Sequence, residues 1–146
     1  MDINKLRLEL DKNTDLNVLV QKGCDQDIAD YFNEVDVSVQ IPVSVPRGTF
    51  LLIIAGINLR LPTMQSNIQS KWDRVLATLR AVDSVDVQSP AVQALIQAAL
   101  ADAVVVQDEV TAINAAAVRP GTRAEGLFGP NSFVTIENVA KAMNRG

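Results

Sequence analysis

The segment from Val35 to Val45 alternates strictly between apolar and polar residues, and it sets the strongest constraint on how this chain can fold. Its apolar members are Val35, Val37, Val39, Ile41, Val43 and Val45. An extended strand places every second side chain on one face, whereas a helix would scatter these residues around its axis. Pro42 cannot donate a ladder hydrogen bond and Pro46 ends the run, so we predict an edge strand or an extended arm over residues 35–45.

Two interpretations of this arm are open. It can pack on its own domain, where the sequences SVDVQ and SFVTI are weak candidates for a partner strand. Alternatively, it can pack on a neighbouring subunit or add a strand to it. In the second case the candidate interface residues of the arm are Val37, Val39, Ile41 and Val43.

A run of eight residues without a polar side chain, FLLIIAGI, extends from Phe50 to Ile57. A helix needs roughly 20 apolar residues to cross a bilayer. The run is therefore too short, and Arg47 and Arg60 flank it, so we expect no membrane span. A helix that is apolar nearly all round is a buried one, and we predict such a helix over residues 50–61. A strand is the alternative, because short apolar runs are ambiguous by periodicity.

The rest of the chain predicts a mostly α-helical fold. Apolar residues recur every three or four positions in five further segments, residues 2–11, 25–35, 63–82, 89–100 and 135–144. The predicted N-caps include Asp25, Thr63, Ser89 and Thr135. The alanine-rich segment 101–118 either continues the preceding helix or begins a new one at Asp102. We predict a compact bundle of about five to seven helices with one extended segment near residues 35–45.

Length and composition predict one domain with an aliphatic core. The 146 residues are enough for a core without metals or disulfides, and only 4% of them are aromatic. The predicted single domain covers residues 1–146, with the arm at 35–45, a C-terminal loop at 119–134 and a terminal helix at 135–144. The formal charge of -4 argues against nucleic acid as the main ligand, because phosphate neutralisation needs clustered bases.

The residues of most catalytic sites are missing. The sequence has no histidine and a single cysteine, Cys24, so Ser-His and Cys-His nucleophilic sites are excluded. The remaining candidates for metal binding or acid-base chemistry are the carboxylate pairs Asp25 with Asp27, Asp83 with Asp86, and Asp108 with Glu109. Each pair sits at a predicted helix end or on a solvated face, where structural use is favoured. We expect no enzyme activity, no cofactor and no metal.

The sequence RPGTRAEGLFGPNSF connects the last two predicted helices. Three glycines and two prolines in this stretch predict a loop, with one helical turn at residues 122–127. The glycines lack the spacing and the lysine of a phosphate-binding loop. Arg123, Phe128 and Phe133 are further candidate interface residues.

A series of short motifs runs through the chain. They comprise Leu6, Glu9 and Leu10, then Asp15 and Leu16, then Asp25, Ala29, Asp30, Phe32 and Asn33, then Trp72 in WDRVL, then Arg123, Ala124 and Glu125 in TRAEGLFG, and last VTIENVAKA. In this order they resemble a family of small proteins that tailed bacteriophages and prophages encode near their head and tail structural genes. The resemblance implies a phage context.

These observations lead to one expected function and one alternative. We expect a non-enzymatic structural protein of the phage neck, head-tail junction or tail, which binds other virion proteins and copies of itself, with a homo-oligomeric ring as one form. It would reside in the virion, and in the host cytoplasm during assembly. The alternative is a small acidic regulator or inhibitor that binds a host protein through the acidic face at residues 25–36.

Overall fold

The computed structural model describes residues 1–144, and these residues are mostly α-helical, as predicted. The ten α-helices are α1 (Ile3–Lys12), α2 (Asn17–Lys22), α3 (Asp25–Asn33), α4 (Arg47–Ile53), α5 (Ile57–Arg60), α6 (Ser66–Arg80), α7 (Pro90–Ala101), α8 (Gln107–Ala116), α9 (Arg123–Phe128) and α10 (Ile136–Ala142). Two 3₁₀ helices (Thr14–Leu16, Leu61–Thr63) and four strands, β1 (Val35–Pro42), β2 (Val45–Pro46), β3 (Ser84–Val85) and β4 (Val118–Thr122), complete the described elements. The predicted five to seven helices were too few, because the segment 50–61 is split into α4 and α5, α2 was not predicted, and α9 was predicted only as a turn within a loop.

Contacts within the chain divide it into two compact units. Unit 1 comprises residues 1–41 together with the chain from Pro120 onward, and unit 2 comprises residues 42–119. Each unit has its own hydrophobic core. The single domain predicted for residues 1–146 stays a prediction.

Unit 1 is built on the amphipathic helices α1, α3 and α10. Leu6 and Leu10 lie on one face of α1 and are buried together with Ile28 and Phe32 of α3. Their spacing of four residues puts both members of each pair on the same side of its helix. Val139 of α10 closes this core from the third side. The helices predicted at residues 2–11 and 25–35 are confirmed.

The amide of Asn33 fastens the end of α3 to the segment before α10. It donates a hydrogen bond to the carbonyl of Val134 over 2.7 Å and accepts one from the Val134 N–H over 2.9 Å. Thr135 caps α10 as predicted, since its hydroxyl oxygen accepts from the Asn138 N–H. The predicted cap of α3 was wrong by one residue, because Cys24 occupies the N-cap position and Asp25 is already helical.

The extended segment predicted at residues 35–45 is confirmed as a strand over residues 35–42, β1, and its partner is β4 of the same chain. Strand β4 was not predicted, because its sequence VRPGT contains the proline and glycine that are typical of a loop. Of the two weak candidates, SVDVQ supplies β3, which pairs antiparallel with β2 through Val45 and Val85. The other, SFVTI, forms no strand and leads into α10.

The apolar run forms helix, as predicted, but not one continuous helix. Residues 54–56 interrupt it between α4 and α5. Phe50, Ile54 and Ile57 are buried, whereas Leu52 and Leu59 are exposed, so the prediction of a helix buried on all sides was wrong. Nowhere in residues 1–144 is there a helix of sufficient length and apolar character to cross a membrane.

The remaining helices of unit 2 differ from the prediction mainly at their ends. Helix α6 begins at Ser66, and Thr63 is not its cap, since the Thr63 hydroxyl donates to the Arg60 carbonyl instead. The segment 101–118 does not continue α7, because Ala103 adopts a left-handed backbone conformation with φ of 60°. Nor does Asp102 cap α8, which begins only at Gln107.

Gly121 offers a test of the close packing of β4 against β1, and Gly48 offers a control at an open position. A Cβ atom on Gly121 of β4 would lie 2.6 Å from Cγ1 of Ile41 and 2.7 Å from Cγ1 of Val39. We expect Gly121→Ala to destabilise the protein by about 1–3 kcal/mol, because the β1 side chains must shift. Gly48 of α4 has no atom within 4 Å of such a Cβ.

Gly48→Ala is therefore the control, and we expect it to stabilise the protein by about 0.5–1 kcal/mol, because alanine loses less backbone entropy in a helix. Urea-induced unfolding of both variants measures the two free energies of unfolding. Equal effects of the same sign would contradict the close approach of Gly121 to β1.

Candidate functional site

The predicted interface residues of β1 do not share one environment. Val37 is 80% exposed, whereas Ile41 is buried and Val39 lies against the Cα positions of Gly121 and Gly126. Val43 follows the strand, and its N–H donates to the Ala117 carbonyl over 2.8 Å. Only the beginning of the strand therefore presents apolar side chains to solvent.

Side chains of β1 occupy some of the backbone groups of the same strand. The carboxylate of Asp36 accepts from both the N–H and the hydroxyl of Ser38, over 3.0 and 2.7 Å. These bonds lower the pKa of the Asp36 carboxyl from its ordinary value. Gln40 donates to the carbonyl of Val37 over 3.0 Å. Local bonds of this kind compete with pairing to another strand.

Arg123 is held within unit 1. Its guanidinium donates to the Glu34 carboxylate and to the Tyr31 carbonyl, each over 2.8 Å, and lies 4.0 Å from the centroid of the Tyr31 ring. The bond to Glu34 is the main cause that raises the pKa of Arg123. These contacts join α9 to α3, so Arg123 has a structural role.

Phe128 and Phe133, which were predicted as interface residues, border a shallow depression of unit 1. Phe133 is 65% exposed, and Phe128 is half-buried beneath the ammonium group of Lys5, which lies 5.5 Å from the ring centroid. Lys5 also donates to the Leu127 carbonyl. Phe133 is thus the member of this pair that is free to contact another molecule.

The carboxylate pairs do not assemble into a metal site. Within residues 1–144 no three side chains of histidine, cysteine, aspartate or glutamate lie close enough together to hold an ion. Glu109, from one of the pairs, is engaged by Arg60 and by the Val106 N–H.

Unit 2 contains an apolar cavity that the sequence did not reveal. It has a volume of about 350 Å³ and lies among α4, α6, α7 and β3. The walls are aliphatic and aromatic, and include Ile54, Trp72, Leu79, Val92 and Ile96. Polar side chains occur only at Thr78, Ser84 and Asp86. Volume and lining match the pockets in which proteins bind apolar groups.

The carboxylate of Asp102 connects two walls of the cavity, helices α6 and α7. Asp102, at the end of α7, accepts from the Trp72 indole N–H over 2.8 Å and from the Lys71 ammonium over 3.0 Å. A carboxylate at a helix C-terminus faces the negative end of the helix dipole, so these two donors of α6 offset an unfavourable position. The Trp72 hydrogen bond is the larger cause that lowers the pKa of Asp102.

Two leucines on the other side of the α4–α5 segment face solvent. Leu52 is 78% exposed and Leu59 is 82% exposed. Each lies two residues after a cavity-lining residue of its own helix, Phe50 in α4 and Ile57 in α5, which places it about 200° away on the opposite side. We call Leu52 and Leu59 the outer leucines.

Stability at low pH tests the contact between α6 and α7. Because the pKa of Asp102 is lower in the folded protein, its stabilising contribution is fully present above the ordinary value of about 3.9 and is lost as the pH falls through the folded-state value. We expect Asp102→Ala to destabilise the protein at neutral pH, and the difference from wild type to shrink in acid. Urea unfolding at a series of pH values measures this difference.

The control for this experiment is Lys71→Ala. It removes the ammonium group but keeps the indole hydrogen bond, which is the larger cause of the shift. It should therefore preserve most of the pH dependence. A destabilisation by Asp102→Ala that stayed constant into acid would contradict the assigned contact.

The sequence and the fold were also compared with known proteins. No family model matches this chain, and no curated protein and no solved structure matches it. The resemblance to the phage family therefore stays a prediction that depends on the short motifs alone.

Proposed function

We propose that this chain is a non-enzymatic structural protein of a tailed-bacteriophage virion, in the neck, head-tail junction or tail, and that it acts by binding neighbouring subunits. The observation that carries the proposal is the exposure of large apolar side chains on both units. Val37 and Phe133 in unit 1, and Leu52 and Leu59 in unit 2, are each more than half exposed. We propose that these side chains belong to contact sites for other subunits, since contiguous apolar patches on a protein surface mark such sites.

The motif residues of the phage resemblance support the proposal at the level of the fold. Leu6, Leu10 and Leu16 are buried in the core of unit 1. Glu125 is also buried, and it accepts hydrogen bonds from the N–H groups of Thr122 and Asn131. Because these residues stabilise unit 1, the resemblance supports a shared fold of unit 1 and not a shared active site.

The proposed partners are other virion proteins and copies of this chain, and the proposed location is the virion, with the host cytoplasm as the place of assembly. The acidic balance of the chain favours protein partners over nucleic acid. The alternative, an acidic regulator, has less support. Two acids of its expected binding face, Glu34 and Asp36, are paired with Arg123 inside unit 1.

The test is the protein content of purified virions. We expect mass spectrometry to detect this chain in a fixed ratio to the other virion proteins. A nonsense mutation in its gene should leave incomplete particles, visible by electron microscopy. A monomer in sedimentation velocity combined with absence from virions would contradict the proposal. Absence from virions together with salt-sensitive binding to a host protein would select the regulator.

A further inference from the structure

We infer that the apolar cavity of unit 2 binds a neutral molecule with one aliphatic chain of about ten carbon atoms, whose polar head lies at the mouth. This inference goes beyond the proposed function, which requires no small-molecule ligand. The volume of the cavity is about 350 Å³. An engineered apolar cavity of about 150 Å³ accepts benzene, so this one has room for a chain of about ten carbon atoms.

The cavity is long rather than round, because it follows two helices over about two turns each. Trp72 and Leu79 line it from α6, and Val92 and Ala99 line it from α7. The members of each pair are seven residues apart, which at 1.5 Å per residue gives each wall a length of about 10 Å. The backbones of α6 and α7 do not approach each other closely. A long space of this kind suits an extended chain.

The cavity has a buried end and an exposed mouth. Trp72 and Ala99 are buried at one end. The exposed residues of the lining are Thr78, Val82, Ser84, Asp86 and Leu95. Most of them lie at the end of α6 or directly after it, about two turns beyond Trp72. The broad surface of another protein cannot reach the buried end, whereas a single aliphatic chain can enter from the mouth.

The lining at the buried end excludes a ligand that is polar along its inner part. The polar side-chain atom there is the Trp72 indole nitrogen, whose N–H already donates to Asp102 over 2.8 Å. Within residues 1–144 no buried side-chain nitrogen or oxygen lacks a hydrogen-bond partner. A polar group at this end would lose its hydrogen bonds to water and gain none. The inner part of the ligand is therefore hydrocarbon.

The mouth favours a neutral head over an anionic one. Asp86 is the only charged side chain among the described lining residues. One of its carboxylate oxygens accepts from the Gln88 N–H over 3.1 Å, and within residues 1–144 no base forms an ion pair with it. A carboxylate head would thus meet a like charge. A hydroxyl head meets no such repulsion and can donate a hydrogen bond to Asp86.

The position of the chain is tested with decanol and with Trp72 as the reporter, since Trp72 is the only tryptophan of the chain. Bromine quenches indole fluorescence when the two are in contact. We expect decanol with bromine on its terminal carbon to quench most of the Trp72 fluorescence. Decanol with bromine on the carbon next to the head group should quench much less at equal occupancy. Isothermal titration calorimetry measures the occupancy.

Two variants of the full chain then test the walls. Ala99→Leu fills part of the buried end, and we expect it to weaken decanol binding about tenfold or more, because the ligand loses apolar contact there. The matched control is Ala94→Leu, which makes the same change at an exposed position of α7 outside the lining and should bind decanol like the wild type. Circular dichroism and urea unfolding verify that both variants fold.

Decanoate tests the preference for a neutral head, because it has a chain of equal length and an anionic head. We expect the wild type to bind decanoate more weakly than decanol. Asp86→Asn should narrow this difference, since it removes the charge and keeps an oxygen for the Gln88 N–H.

Four outcomes would overturn the inference. They are no binding of decanol to the wild type, stronger quenching by the bromine near the head, unchanged binding by a folded Ala99→Leu variant, and decanoate binding as tight as decanol. A wild type that binds no decanol but whose Trp72 fluorescence changes on self-association would identify a second copy as the occupant, and this result would also overturn it.

Discussion

The arrangement of unit 2 depends on the contacts of Arg60. Its guanidinium donates to the Val104 carbonyl over 3.0 Å and to the Glu109 carboxylate, which also accepts from the Val106 N–H. One side chain thus joins α5, the turn after α7 and the beginning of α8. The guanidinium is partly shielded from water, so each of its partners is needed to balance the cost of desolvation.

Arg60 also constrains the backbone that faces it. A Cβ atom on Gly56 would lie 2.7 Å from a guanidinium nitrogen of Arg60. Only glycine allows this approach without a shift of the arginine. The interruption of the apolar run at residues 54–56 therefore lies against the ion pair. The direction of α5 then determines that Ile57 faces the core while Leu59 faces solvent.

The sequence predicted part of what short-range rules control, although the caps predicted at Asp25, Thr63 and Asp102 were wrong, and it missed what depends on distant residues. Thr135 and Pro90 mark helix starts correctly, because a cap or a proline acts on its own neighbours. Strand β4 was missed because Gly121 is needed for contact with Val39 and Ile41, which lie far away in the chain. The exposure of Leu52 and the cavity were missed for the same reason. A helical run of apolar residues does not say which of its sides will find a partner.

The side-chain bonds along β1 have a consequence for how this strand can meet other chains. An exposed strand edge is a template for pairing with another chain, and therefore for aggregation. Asp36 and Gln40 occupy the Ser38 N–H and the Val37 carbonyl. Strand β1 therefore offers fewer free backbone groups to a strand of another molecule.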